Sequence, residues 1–429
     1  MVEEIRALSR LAIPLILAQL GLMTMVLADT YMVGRLGSVE LAGMGLGNAF
    51  LFTLSTLIAG LVMGLDGLFA KENAKGGVRA AAPWFFGAGV LVIGASLLSV
   101  LILYVAGSLL ESWGVAPEVA RVASSYLRAV SWCILPGILF LLARQFLAAL
   151  GVVRKIAVIV LLANGVNIAL NYLWIPKWGA AGSGYATTAT RFFMVGVLIP
   201  DLLRILKGVP WQVRLKDLLK IGGPVSMQAM ARAGVFSLLG VWVGKIGVTA
   251  LAAHSIVLMV ANLLNMIPIG LSSAVAIRVA IGLGRDDFPA ASRSIQGGLW
   301  AGGGLMALLT VVLWIGKGKL IEPFAVDLSV REMAGGVLIW VALFQIVDTL
   351  QYVVVGALRA YHEFLSALWG TLFGLWGVTL IIAYGRDLSG VWAGVFSGIV
   401  TLFLVTGFTL WRRSYLPVPA AESFRSPGG

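Results

Sequence analysis

Histidine, cysteine and charge are all scarce in this chain. Two histidines and one cysteine in 429 residues leave no zinc-site spacing, no serine and histidine arrangement for nucleophilic chemistry and no disulfide framework. Cys133 lies in an apolar stretch, where a lone cysteine behaves as a small hydrophobe, and His254 in "LAAHS" reads as a structural residue at a helix start. Paired aspartyl motifs are missing too, so the chain is not expected to be an enzyme or to carry an organic cofactor. Charged residues make up only 12%, about half the share usual in water-soluble domains.

Apolar residues fill that space. They reach 60% of the chain, in segments near 11–33, 46–70, 84–110, 121–143, 156–175, 181–205, 221–245, 250–280, 296–315, 333–356, 364–384 and 389–411. Each is long enough, at 1.5 Å per helical residue, to cross a hydrocarbon core roughly 30 Å thick. The breaks carry turn or charge signals such as "KENAKGG", "PKWG", "GLGRDD" and "GRDLSG". Period-two alternation of the membrane-barrel kind is lacking. The expected fold is therefore an all-α polytopic membrane protein with twelve spans. The segment from Leu11 is too long for a cleaved signal and is expected to stay as the first span.

Lysine and arginine set the orientation. With the N-terminus inside, about 20 of the 31 basic residues fall on one side and about 8 on the other, so both termini are expected in the cytoplasm of a cell-membrane protein. The net charge of +12 is then a topology signal and a contact with anionic lipid. Basic residues are scattered over short loops with no compact patch, so no nucleic-acid partner is expected.

A shift of 210 residues lays "RLAIP" (10–14) on "KIGGP" (220–224), "VGRLG" (33–37) on "VGKIG" (243–247) and "LAG" (41–43) on "LAA" (251–253) without a gap. The expected units are an N-lobe over 1–207, a basic linker over 208–216, a C-lobe over 217–415 and a tail over 416–429. Six spans per lobe is an even number, so the repeat is parallel, with a pseudo-two-fold along the membrane normal and a cavity between lobes. That is a transporter architecture, although duplicated bundles also serve as channels.

Charge inside the bilayer points to the site, because it costs roughly 2.5–3.5 kcal/mol on insertion scales and persists where it meets a cavity or a partner. Asp29, Asp66, Arg128, Arg191, Arg232 and Asp348 lie within spans, and Glu363 stands at the mouth of span 11. Asp66, in "GLDGLFAKEN", is expected at headgroup level. Asp29 has polar company within reach: Asn167 and Asn171 in "ANGVNIALN" are four apart on one helical face, and "GSGYATTAT" supplies Thr187 and Thr188. A carboxylate with amide and hydroxyl oxygens suits Na+, and a buried carboxylate also suits a proton. Gln19, Gln228, Asn262, Asn265, Gln345 and Gln351 are further candidates for a cavity wall, with methionines such as Met23, Met227 and Met266 as adaptable apolar surface. Pro14, Pro136, Pro224 and Pro268 mark bends.

The stretches "LAIPLILAQLGLMTMVLADTYMVGRLG", "RQFLAALGVVRK", "NIALNYLWIPKWGAAGSGYAT", "GVTALAAHSIVLMVANLLNMIPIGLSSAVAIRVAIGLG" and "FQIVDTLQYVVVGALRAYHE" resemble the multidrug and toxic compound extrusion (MATE) family, its NorM-like branch in particular, over nearly the whole chain. The resemblance implies a V-shaped pair of six-helix lobes, acting as a monomer, that exports small organic compounds in exchange for inward Na+ or H+. It makes Asp29, Asn167, Asn171 and Thr187 a cation-coupling site, and matches Asp348 to the family's aspartate on span 10 and Glu363 to the aspartate that follows its "LRG" motif. NorM-like members carry a glutamate where this chain has Arg232, and a fixed guanidinium excludes Na+ from its side. Arg232 is then either a countercharge for Asp348 or Glu363, or a cavity residue that binds an anionic group together with Arg128 and Arg191. The substrate cavity is expected to involve Gln19, Arg191, Gln228, Arg232, Asn262, Asp348 and Glu363. The competing reading is a flippase or exporter of an anionic or lipid-linked metabolite.

Overall fold

A computed structural model describes residues 2–213, 215–321 and 327–415; the expected tail over 416–429 lies outside them. Twelve helices are long and apolar enough to cross a membrane: Val2–Gly34, Ser38–Gly76, Val78–Leu109, Pro117–Ala149, Arg154–Trp178, Ala180–Ile205, Asp217–Ile246, Val248–Gly284, Phe288–Gly316, Leu328–Ala360, Leu365–Ala383 and Leu388–Ser414. They are called spans 1 to 12 below. Among the described residues there is no strand. Several spans outrun the apolar segment that announces them, because a helix continues into polar sequence once its backbone groups are paired internally.

The 210-residue repeat is visible in the backbone. Gly37 precedes span 2 with φ 130° and Gly247 precedes span 8 with φ 149°, a region of backbone space that side chains avoid. The lobes also differ. Span 4 contains a 3-10 turn at Ser131–Cys133, just before Pro136, whose missing N–H leaves the Trp132 carbonyl without its helical donor. Span 11 is wound as a π-helix over Leu372–Thr379.

Apolar packing is split into three cores. One joins both lobes and runs from Leu8 and Leu15 in span 1 through Val62, Phe69 and Phe146 to Val275, Ile277, Val353 and Leu358. A second, including Val235, Leu239, Val257, Phe344 and Trp392, belongs to the C-lobe alone. The third, including Val33, Met44, Tyr126 and Ile175, belongs to the N-lobe alone. The C-lobe residues of the shared core, such as Val275, Ile277, Val353 and Leu358, lie in the half of the molecule nearer the termini, while the separate cores lie toward the remote half. The lobes are therefore joined at the terminal end and part toward the other, as a V.

Small residues let the helices close at the joint. A Cβ at Gly270 would stand 2.8 Å from the Ile16 backbone nitrogen, and one at Gly222 2.7 Å from Leu61 Cα, so these glycines permit backbone contact between spans 1 and 8 and between spans 2 and 7. Every described hydrogen bond between the lobes lies in this half. Arg278 grips the Glu4 carboxylate through Nε at 3.0 Å and Nη2 at 2.7 Å, and Ser294 donates to the same carboxylate at 2.7 Å. Ser226 donates to the Leu57 carbonyl.

Asp66 departs from its expected place. It is 1% exposed, deep in the seam: Ser273 donates to Oδ2 at 2.8 Å, the Gly67 amide donates to Oδ1 at 2.9 Å, and Arg359 Nη2 lies 3.4 Å away. Arg359 also donates to the Met63 carbonyl and Ser272 Oγ. The headgroup expectation failed because the helix is interrupted at Gly64 and resumes as Leu65–Gly76, turning the carboxylate toward the C-lobe. Beside it, Gln19, Arg144, Gln145 and Ser273 line a cavity of about 10 Å³, room for a single water among polar groups.

Breaking a buried ion pair by removing one partner costs about 3–5 kcal/mol. Asp66→Asn should accordingly loosen the joint. In double electron-electron resonance between spin labels at Ser38 and Val248, on the remote loops, the variant should show a new population of shorter distances; a distribution identical to that of the unsubstituted protein would show that Asp66 does not hold the joint.

Candidate functional site

Three spans of the N-lobe converge on Asp29. Its carboxylate, 9% exposed, accepts from Asn171 Nδ2 of span 5 at 2.5 Å on Oδ1 and from Thr187 Oγ1 of span 6 at 2.8 Å on Oδ2. Asn171 Nδ2 also donates to Asn167 Oδ1 at 3.2 Å, which the four-residue spacing makes possible. Two buried atoms of this cluster, Asn171 Oδ1 and Asn167 Nδ2, lack hydrogen-bond partners. One is an acceptor and the other a donor, so the cluster keeps unused polar capacity. Thr188, the neighbour of Thr187, bonds instead to the Ala129 carbonyl.

A cleft of about 450 Å³ opens between spans 1 and 5 at the end remote from the termini, lined by Ala28, Tyr31, Arg35, Ile168, Asn171 and Tyr172. It brings outside space up to Asn171, one residue from the carboxylate.

The C-lobe holds its charges in a closed pair. Arg232 Nη2 donates to Asp348 Oδ2 at 2.7 Å, and the Arg232 guanidinium lies 5.2 Å from the Tyr352 ring centre, a cation–π geometry. Asp348 is fully buried. Of the two countercharges considered for Arg232, the structure supplies Asp348. Glu363 lies elsewhere, in the loop after span 10, where it accepts from Arg413 Nη2 at 2.6 Å. Its match to the family's aspartate after the "LRG" motif suggested a cavity position, but the chain turns out of span 10 at Tyr361 and carries Glu363 to the surface end of span 12.

The remaining candidates are dispersed. Gln19 accepts from Arg144 Nη1 at 2.9 Å near the seam, far from Asp29. Gln345 donates to the Ala261 carbonyl, Gln228 is half-buried, and Asn262 and Arg128 are exposed. Arg191 lies inside the N-lobe, within electrostatic reach of Asp29, Cys133 and Arg144. Sequence reading passed over Arg144, Arg278 and Arg359, since each follows an apolar run closely enough to pass for a loop-edge cation. Tyr126, which donates to Asn48 Oδ1 at 2.7 Å, gave no signal at all.

This is a two-lobed, twelve-span membrane protein with a carboxylate cluster in one lobe and a neutralised charge pair in the other. The family model MatE matches residues 14–173 and 224–385, one match per lobe, and the chain belongs to that family. Among curated proteins it is 28% identical to a probable multidrug resistance protein NorM of Geobacillus kaustophilus, with 95% of each chain covered. It is 30% identical to the protein of the same description in Bradyrhizobium diazoefficiens, over 92% of this chain and 91% of that one. Among solved structures it superposes with a TM-score of 0.87 on a multidrug resistance MATE family transporter in its outward-facing conformation, 18% identical over 96% of both chains.

The Arg232 and Asp348 pair should be more costly to break than to replace. Asp348→Leu alone leaves a buried guanidinium without its partner and should cost about 3–5 kcal/mol, while Arg232→Met with Asp348→Leu removes both charges and should restore most of the loss. Thermal unfolding of the purified variants in detergent checks this, and a double variant no more stable than the single one would show that the pair's charges are not what stabilises the C-lobe.

Proposed function

We propose that this protein is a secondary active multidrug exporter, an antiporter that moves small organic compounds out of the cell against an inward flow of Na+ or H+. The observation that carries the reading is the Asp29 cluster, an acidic group inside a membrane lobe, held by two other spans of that lobe and approached by a cleft from the remote side. The charge cost of such a group in the bilayer demands a role or a countercharge, and no side chain forms an ion pair with it among the described residues. The names of the curated relatives support the drug-export part of the reading.

Exchange works through Asp29 as follows. Both carboxylate oxygens accept hydrogen bonds, one from Asn171 and one from Thr187. A proton arriving at either oxygen turns an acceptor into a donor, so the Asn171 or Thr187 bond at that oxygen must rearrange. Na+ makes a parallel demand, since an ion bound beside Asp29 takes oxygen ligands: the Asn171 amide would turn its unpaired Oδ1 toward the ion. Either way, neutralising Asp29 repacks the contacts between spans 1, 5 and 6, which is the local event that biases the lobe. Alternating access then converts that bias into transport.

With both termini in the cytoplasm, as the distribution of basic residues supports, the joined end of the V is cytoplasmic and the open end faces outward. The flippase alternative draws no support from the arginines as a group, because Arg232 is neutralised by Asp348 and Arg128 is exposed on its helix.

The experiment is efflux from proteoliposomes with Na+ and proton gradients imposed separately. Asp29→Asn keeps the side-chain shape and one acceptor oxygen but removes the titratable group, so it should fold normally and lose gradient-driven ethidium efflux by at least about 100-fold, the scale on which a proton-transfer group contributes. Gradient-driven efflux at the unsubstituted rate in Asp29→Asn would end the coupling mechanism described here.

A further inference from the structure

Four of the arginines buried or half-buried within the spans are engaged. Arg144 donates to Gln19, Arg232 to Asp348, Arg278 to Glu4 and Arg359 to Met63 and Ser272. Arg191 is different. It is half-buried in span 6, and among the described residues it has no hydrogen bond and no ion-pair partner. Asp29, the nearest candidate, has both oxygens taken by Asn171 and Thr187. Gly137 of span 4 lies alongside the side chain, where a Cβ would stand 3.7 Å from Arg191 Cδ and 4.0 Å from Nε, an ordinary contact distance. The Arg144 guanidinium is within electrostatic reach of Arg191.

A charged side chain within a span persists where it meets a cavity or a partner, and Arg191 has no bonded partner among the described residues. Its planar fork of donors fits a carboxylate or phosphonate in a bidentate fashion. We infer that Arg191 is a specificity-determining residue, the receptor for an acidic group on the transported compound, and that the N-lobe selects organic molecules bearing a carboxylate over esters or simple cations of the same shape. This inference rests on the exporter reading and adds a substrate class to it. The engaged state of Arg232 matters here, because it leaves Arg191 as the guanidinium of the lobe interiors free to take an anion. Asp29 nearby gives the complementary charge, so a ligand carrying both an acid and a cation matches the pair.

The test uses two dyes that differ only at the acid: rhodamine 110, with a free carboxylate, and rhodamine 123, its methyl ester. The full-length protein in proteoliposomes, under the gradient that drives it, should export the acid in preference to the ester. Arg191→Gln should lower the acid-to-ester transport ratio by about ten-fold or more, the scale of one charge-assisted hydrogen bond. Arg191→Lys, keeping the charge without the fork, should fall between. An equal loss of both dyes in Arg191→Gln, an unchanged ratio, or export of the ester alone by the unsubstituted protein would each overturn the assignment. Should the unsubstituted protein move neither dye, ethidium efflux under the same gradient decides the exporter reading. Fluorescence anisotropy of the two dyes on the purified protein then decides the assignment separately: weaker binding of rhodamine 110 alone in Arg191→Gln upholds it, and equal affinities in both proteins overturn it.

Discussion

Charge in a medium that cannot solvate it is the constraint on which the rest of this structure depends. Moving a carboxylate or guanidinium out of water is repaid only by close partners with their own hydrogen bonds satisfied. The solutions found differ in kind. At the joint, Asp66 and Arg359 pair across lobes and spend their remaining capacity on Ser273, Ser272 and the Met63 carbonyl. In the C-lobe, Arg232 and Asp348 pair within the lobe. In the N-lobe, Asp29 has only neutral donors. These are respectively a tie between lobes, a tie within a lobe and a carboxylate without a tethered countercharge among the described residues.

That ordering gives the two lobes different jobs despite their common ancestry in one repeat. A lobe whose acid is held by a tethered arginine has its cation permanently bound. Cycling of its charge would require Arg232 to leave, at the cost of exposing both groups. Asp29 has no tethered cation to displace, since its two hydrogen-bonded neighbours, Asn171 and Thr187, are neutral. The asymmetry is the feature on which the proposed coupling in the N-lobe rests. The π-helical stretch of span 11 has no counterpart in span 5, which is α-helical over Arg154–Trp178, so the lobes differ in backbone as well as in charge.

Much of this was readable from the sequence, and the limits are physical. Twelve spans follow from apolar length alone, and the repeat follows from landmarks such as Gly37 and Gly247, whose backbone conformations no other residue type adopts readily. The Asn167 and Asn171 spacing placed both amides on one face, and the structure sets them against Asp29. Asp66 was misjudged because hydropathy reports depth along a span but not the break at Gly64 that redirects the side chain. Arg144, Arg278 and Arg359 were passed over for a related reason: near a span end, a cation that snorkels to headgroups and one that crosses to the other lobe have the same sequence context. Glu363 was placed by its match to a family aspartate after the "LRG" motif, and a motif match does not report where the chain turns at a helix end.

The joint itself explains why so much polar chemistry collects at one end. Apolar surfaces gain little by meeting one another in lipid, since the tails are equally apolar, so helix association rests on close packing and hydrogen bonds. Glycines at 60, 222 and 270 bring backbones together across the seam, and the Glu4, Asp66 and Ser226 contacts supply the polar part. Because these contacts are few and directional, they hold one arrangement firmly yet can be given up as a set. A joint made only of interdigitated leucines would slide through intermediate positions, whereas one made of ion pairs between close-packed backbones is either formed or open. The proposed alternating access would call for such bistability, and the structure places costly charges, Glu4 with Arg278 and Asp66 with Arg359, at the seam between the lobes.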